Sequence, residues 1–160
     1  MDRIWAPWRK AYTQPKRVAP KGCLFCRLAK SRQDARDFIL KRTTLAYAVL
    51  NLYPYNNGHT LVVPNRHVDA IDRLTAQEQL DWLALLSEVQ HALCKKMTPH
   101  GFNLGLNIGK PAGAGIPKHL HFHIVPRWTG DANFMPTIAG AKLISDSLEA
   151  VYASLKPVLR

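Results

Sequence analysis

The chain has 160 residues, 47% hydrophobic and 21% charged, with four tryptophans, a composition that excludes wholesale disorder and suits one domain with flanking segments. Its 22 Lys and Arg against 11 Asp and Glu give a formal charge of +11, which attracts polyanions such as nucleic acid, acidic lipid or phosphorylated small molecules. Residues 1–42 hold 12 of the basic residues and 3 of the acids, so the charge sits in the first quarter of the chain and reads first as a solvated tail or loop.

In chain order, residues 1–21 read as a basic arm. Pro7, Pro15 and Pro20 bar one long helix there, and the arm is expected to run extended and dock Trp5 and Trp8. Cys23-Leu-Phe-Cys26 follows. Three cysteines, counting Cys94, are too few for a disulfide framework. The N-terminus carries no signal-like apolar stretch and no run approaches a membrane span, so a cytoplasmic protein is expected, in which Cys-x-x-Cys suggests metal or redox chemistry.

Leu45–Leu52 and Thr60–Val63 have strand character and are separated by the turn-forming Pro54-Tyr-Asn-Asn-Gly58, which predicts antiparallel neighbours. Thr75-Ala-Gln-Glu78 is a capping box, and Trp82, Leu86, Val89, Leu93 and Met97 recur at helical spacing, predicting a helix over 76–97 with Cys94 as a small core residue. Phe102–Ile108 reads as a strand, then comes the small-residue loop Gly109–Gly115, then the strictly alternating His119–Val125. An amphipathic helix is expected over 143–155, with Leu148, Val151, Tyr152 and Leu155 on one face. Hairpins with helices on one side make an α+β domain.

His119-Leu-His-Phe-His-Ile-Val125 is the most informative stretch. On a strand, His119, His121 and His123 share one face while Leu120, Phe122 and Ile124 anchor the other. Three aligned imidazoles suit a metal site, a nucleophile with its supports, or simply polar residues on an exposed strand face, the last disfavoured by three in register beside a glycine-rich loop. The loop ahead of them adds Gly113 and Gly115, whose backbone freedom lets successive amides converge on an anion. Together they suggest phosphoryl or nucleotidyl transfer.

These residues resemble the signature of the histidine triad (HIT) superfamily of nucleotide hydrolases and transferases, His-φ-His-φ-His-φ-φ with φ apolar. Asn51–His67, Asn103–Asn107, Gly113–His119 and Pro126-Arg-Trp-Thr-Gly-Asp-Ala-Asn-Phe-Met-Pro136 extend the likeness, the last two to the bacterial branch related to diadenosine tetraphosphate phosphorylases. The resemblance implies a HIT domain over about 22–136 with a C-terminal helical extension, 137–160. Its fold would be a half-barrel of about five antiparallel strands with one long central helix and a C-terminal helix, two subunits forming a homodimer with a continuous ten-stranded sheet. It implies His121 as the nucleophile at the α-phosphate, forming a covalent nucleotidyl-histidine, with His123 supporting the phosphate site and His59 neutralising phosphoryl oxygens or supplying a proton. Asn107 would donate near the scissile phosphate, Asn51 would contact ribose, and Gly113, Ala114, Gly115 and Ile116 would form the nucleotide-binding loop.

Cys23 and Cys26 supply half of a tetrahedral zinc site, or are metal-free core thiols. Zinc-bearing HIT proteins imply His67 and His119 as the other ligands, in a closed structural site that fixes the strand presenting His121. His91 and His100 match no motif and read as surface residues. Many family hydrolases carry Gly-Gln-Ser/Thr before the triad, where this chain has Ala114-Gly115-Ile116, and the missing amide and hydroxyl favour inorganic phosphate over water as acceptor. Rival readings are a HIT hydrolase of nucleoside phosphoramidates or adenylated amines, and a zinc-stabilised basic nucleic-acid-binding module. The second is disfavoured because phosphate contact alone needs no strand-aligned triad.

Overall fold

The computed structural model describes residues 22–132 and 143–159. The arm with Trp5 and Trp8, the boundary at 136/137, and the last four residues of the Pro126–Pro136 stretch lie outside the described residues. Five antiparallel strands form one sheet in the order β1-β2-β3-β5-β4: β1 Ile39–Arg42, β2 Ala46–Leu50, β3 Thr60–Pro64, β4 Gly101–Leu106 and β5 Phe122–Arg127. Helix α1 (Leu24–Lys30) precedes the sheet, α2 (Ala76–Met97) joins β3 to β4, and α3 (Leu148–Leu155) comes last, followed by a 3-10 turn at Lys156–Val158.

Every residue of β2 and β3 is buried, because these central strands are covered on both faces. On one face, Ala48, Leu50, Val62 and Ile124 meet Trp82, Leu85, Leu86, Val89 and Leu93 of α2 and Val151 and Leu155 of α3. On the other, Tyr47, Val49, Leu61 and Val63 pack around Phe25 of α1. The capping box at Thr75 and Glu78 starts α2 as the sequence predicts. Trp82 locks the helix to the sheet by donating from Nε1 to the Val62 carbonyl at 2.8 Å.

Three expectations change. Cys94 is exposed, because the buried face of α2 runs through Ala92 and Leu93 and the next residue turns about 100° away from it. The last helix begins at Leu148 rather than 143, with the Ser147 side chain accepting from the Ala150 N–H as its cap. The histidine strand begins at Phe122 rather than His119. Pro64, which ends the partner strand, has no N–H, and its carbonyl accepts from His119 Nε2 at 2.9 Å, so the ladder stops where a side chain takes over. Helix α1 and strand β1 are additions to the elements read from sequence. Arg42 ties them together, donating to the carbonyls of Leu28, Ala29 and Ser31 at the end of α1 and pairing with Asp34. Part of the N-terminal basicity is therefore structural, a guanidinium on the carbonyls at a helix C-terminus.

Gly58 closes the turn between β2 and β3 with φ +72°. A Cβ there would stand 2.7 Å from Met97 Sδ and 3.0 Å from Leu93 Cδ2 of α2. Gly58→Ala is expected to cost about 2 kcal/mol, from crowding plus the left-handed backbone, seen as a lower urea midpoint at unchanged m-value. A midpoint equal to the native one would contradict this.

Candidate active site

His59 enters from the turn ahead of β3, and His121 and His123 from the start of β5, all on the Phe25 side of the sheet. His59, His119, His121 and His123 are all buried, and the rings of His121 and His123 lie 5.0 Å apart between centroids. Phe25 forms one wall, 4.9 Å from the His121 ring. Tyr55 forms the other, its ring 9° from parallel with His123.

Hydrogen bonds fix the protonation of each ring. His121 Nδ1 lies 2.8 Å from the His119 carbonyl, which only accepts, so Nδ1 carries the proton and Nε2 presents a lone pair. The Tyr55 N–H donates to His59 Nδ1 at 3.0 Å, so His59 Nε2 bears the hydrogen and donates to His123 Nδ1 at 2.9 Å. His123 must then carry its proton on Nε2. That atom is buried without a hydrogen-bond partner, a ready donor at the site. Both nitrogens of His59 are thus engaged within the protein, one by the Tyr55 N–H and the other by His123. Tyr55, which sequence reading left in a turn, is the addition here. Its aromatic character beside an active-site histidine gave no periodic signal.

Burial, reinforced by the charges of neighbouring histidines, pulls His59 down to about 3 and His123 to about 4. Burial likewise lowers His121, against an opposing hydrogen bond to the His119 carbonyl. All three are neutral at pH 7. Above pH about 6.5 they are also neutral in the unfolded chain, so they leave stability unchanged there. As pH falls below that, the unfolded chain takes up protons that the folded one refuses, and stability declines until the folded pKa values are passed. His59 and His123 each contribute a slope of up to about 1.4 kcal/mol per pH unit between roughly pH 6 and 4. Denaturant unfolding at pH 7, 6 and 5 should show this decline, and His123→Asn should flatten it. An unchanged slope in that variant would refute the assignment.

Asn51 lies beside His59, and Asn107 follows the Leu106–Phe122 pair between β4 and β5. The Asn51 side chain accepts from the Tyr53 N–H and lies 3.3 Å from His59 Nδ1, and Asn107 is half-buried just beyond β4. In the loop before the triad, Gly113 takes φ +86° and Gly109 φ +82°, whereas Gly115 stays out of the left-handed region. The Gly113 and Ala114 amides bond the Lys110 and Gly109 carbonyls, which turns them away from the anion-binding part expected of them. Ala114 is buried, and Ile116 packs on the Phe25 cluster.

Cys23, Cys26, His67 and His119 converge, with one ligand atom from each lying within 4.8 Å of the others. His119 Nδ1 is 3.4 Å from Cys23 Sγ and 3.6 Å from Cys26 Sγ, and His67 Nδ1 is 3.2 Å from Cys26 Sγ and 3.2 Å from His119 Nδ1. A tetrahedral ion with bonds of about 2.3 Å to sulfur and about 2.05 Å to nitrogen sets such pairs about 3.3–3.8 Å apart. Because His119 Nε2 donates to Pro64, its Nδ1 lone pair faces the thiols, the arrangement expected of a histidine ligand. Burial, then the neighbouring Cys23, pushes the Cys26 thiol up; a cation reverses that preference. The cluster is able to hold a metal ion.

A five-stranded antiparallel sheet backed by one long helix and a C-terminal helix, with a histidine triad at the sheet surface, defines the HIT class. The chain belongs to that family, with the HIT domain matching residues 32–130. It is similar to the AP-4-A phosphorylase of Mycobacterium tuberculosis (strain CDC 1551 / Oshkosh), with 39% identity over 155 residues, 92% of this chain and 79% of the relative. Among solved structures, it resembles a Zn-bound histidine triad family protein from Mycobacterium smegmatis, at 24% identity and TM-score 0.69, over 86% of this chain and 93% of that one. It also resembles a hypothetical histidine triad nucleotide-binding protein from Sulfolobus tokodaii strain7, at 26% identity and TM-score 0.67, over 86% and 89% of the two chains.

Proposed function

We propose that this HIT enzyme, a nucleotidyl hydrolase or transferase, cleaves dinucleoside polyphosphates of the diadenosine tetraphosphate type at the α-phosphate through a covalent nucleotidyl-His121. The observation that carries this is the lone pair of His121 Nε2, fixed by the Nδ1–H bond to His119, beside the buried unpartnered Nε2–H of His123. His121 Nε2 forms the P–N bond as the bridging P–O bond breaks, and the leaving nucleotide oxygen receives a hydrogen bond or proton from His123. The His119 carbonyl steadies the positive charge that develops on the His121 ring. Asn107 and the loop amides from Gly115 onward meet phosphoryl oxygens, and Asn51 meets ribose. Similarity to the M. tuberculosis AP-4-A phosphorylase supports this substrate class.

In the second step an acceptor oxygen attacks phosphorus and releases His121. Ala114, Gly115 and Ile116 offer no side-chain donor or acceptor to place a water, which favours inorganic phosphate. Diadenosine tetraphosphate with phosphate then yields ADP and ATP. Chromatography of the products with and without phosphate tests this: AMP plus ATP in both, with no ADP, refutes phosphorolysis, and no cleavage in either refutes the substrate class.

Zinc is the ion we assign to Cys23, Cys26, His67 and His119, in a structural role, because two thiolates and two imidazoles with no open position suit it. The domain runs over about 22–136, between a basic arm at 1–21 and a helical extension at 137–160. Two subunits pair as a homodimer through the free edge of β4 and the outer face of α2, where Leu104, Leu80 and Leu83 are 45%, 63% and 54% exposed. Among the described residues no helix is long and apolar enough to cross a membrane. We read the protein as a cytoplasmic enzyme, with the basic arm as a steering field for polyphosphates rather than a nucleic-acid contact.

A further inference from the structure

Asn56 of the Pro54–Gly58 turn and the segment Arg127-Trp-Thr-Gly-Asp131 remain without a role in the chemistry, and the fold brings them together. Asn56 is 6% exposed although it is polar and lies in a turn. Its Nδ2 donates to the Pro126 carbonyl at 2.9 Å and to Asp131 Oδ2 at 2.7 Å. Asp131 Oδ2 also accepts from Arg127 Nε at 2.7 Å and from the Trp128 N–H at 3.0 Å, and its Oδ1 accepts from Arg127 Nη2 at 2.7 Å. The two carboxamide hydrogens thus fasten the turn sideways to the end of β5, the strand that carries His123.

We infer that Asn56 and Asp131 form a latch that positions Tyr55 and, through the Tyr55–His59–His123 hydrogen bonds, holds the proton of His123 on Nε2. This rests on the reading of His123 as the donor beside His121. Within the turn, the His59 N–H bonds the Asn56 carbonyl and the Asn51 N–H bonds the His59 carbonyl. Those bonds close the turn on itself without fixing where it stands over β5. The contact that sets the tautomers, the Tyr55 N–H on His59 Nδ1, lies one residue before Asn56. A shift of the turn by a fraction of an ångström breaks it, and His59 and His123 are then free to exchange tautomers. Both partners of Asn56 Nδ2 are acceptors, so an amide fits and a carboxylate of the same shape does not. Asn56 and Asp131 touch no reacting atom; they are positioning residues.

The test uses Asn56→Asp and Asp131→Asn in the full chain, with ring ¹⁵N NMR of His123 in the free protein and steady-state kinetics on diadenosine tetraphosphate. The native protein should show the Nε2–H tautomer of His123. Both variants should populate the Nδ1–H tautomer and lose about 10- to 100-fold in kcat with KM changed less than about threefold, the scale of loss that follows slight misplacement of a catalytic group. A merely structural role would lower the thermal midpoint and leave the His123 tautomer as in the native protein. That result in a folded variant overturns the latch, whether or not kcat falls, as does a redistributed tautomer with native kcat. If Asn56→Asp does not fold, Asp131→Asn alone is read by the same criteria. If the native enzyme cleaves no dinucleoside polyphosphate, the proposed function fails, while the tautomer measurement still judges the latch.

Discussion

His121→Ala is expected to lower kcat by about 10⁴-fold or more while leaving the Kd for a dinucleoside polyphosphate within a few-fold of the native value. The asymmetry follows from geometry. His121 offers one free nitrogen, Nε2, and its Nδ1–H is committed to the His119 carbonyl, so the side chain contributes bond formation rather than ground-state binding. The walls of the site, Phe25 and the turn at 51–58, are built from other side chains. Removing the imidazole also takes away the acceptor for the nucleotidyl group, and direct displacement by phosphate or water forfeits the two-step path. Rapid quenching of the native enzyme under non-acidic conditions should give an intact-mass increase of one nucleotidyl group, on a peptide containing His121 and absent from the variant. Turnover within tenfold of native, or a nucleotidyl group on another residue, would refute the assignment.

The alternation of His119–Val125 and the capping box at Thr75 are local signals: α2 follows from the second residue for residue, and the strand follows from the first over 122–125 but begins three residues late. The tautomers are a different matter. They depend on which carbonyl or amide stands opposite each nitrogen, and these come from positions as far apart as Tyr55, His59 and His123, brought together by the β3–β5 pairing and the Asn56 bonds to Pro126 and Asp131. Sequence could therefore nominate His59 but not place it behind His123. The loop shows the limit from the other side. Glycine is permissive at both 113 and 115, yet only Gly113 uses that freedom, because permission is a property of the residue and use is set by neighbouring bonds. Cys94 misled for a related reason: a small apolar residue one step past a buried leucine falls on the opposite side of the helix boundary. The cysteine pair was more legible, since its spacing is itself a ligand geometry.

Cys26→Ala is expected to abolish stoichiometric zinc, reducing it from about one per chain by elemental analysis, and to destabilise the protein by roughly 3–5 kcal/mol. Phe25 sits between the two cysteines and is 3% exposed against Tyr47, Val49 and Val63. Tyr47 donates to its carbonyl at 2.9 Å. Loosening α1 therefore opens the second core as well as the metal cluster. The helix-side core around Trp82, Val89 and Leu155 is separate from the one around Phe25, so the variant should remain folded at 25 °C with a lower urea midpoint. Activity should fall too, since His119 links the two sites: its ring faces the thiols while its carbonyl holds the His121 proton. Dialysis of the native protein against a strong chelator should reproduce both losses, and adding back zinc should restore them in the native protein but not in the variant. Absence of bound metal in protein purified without chelator and supplied with zinc would exclude the structural ion. Bound zinc whose removal leaves the urea midpoint unchanged would exclude its role in holding the nucleophile.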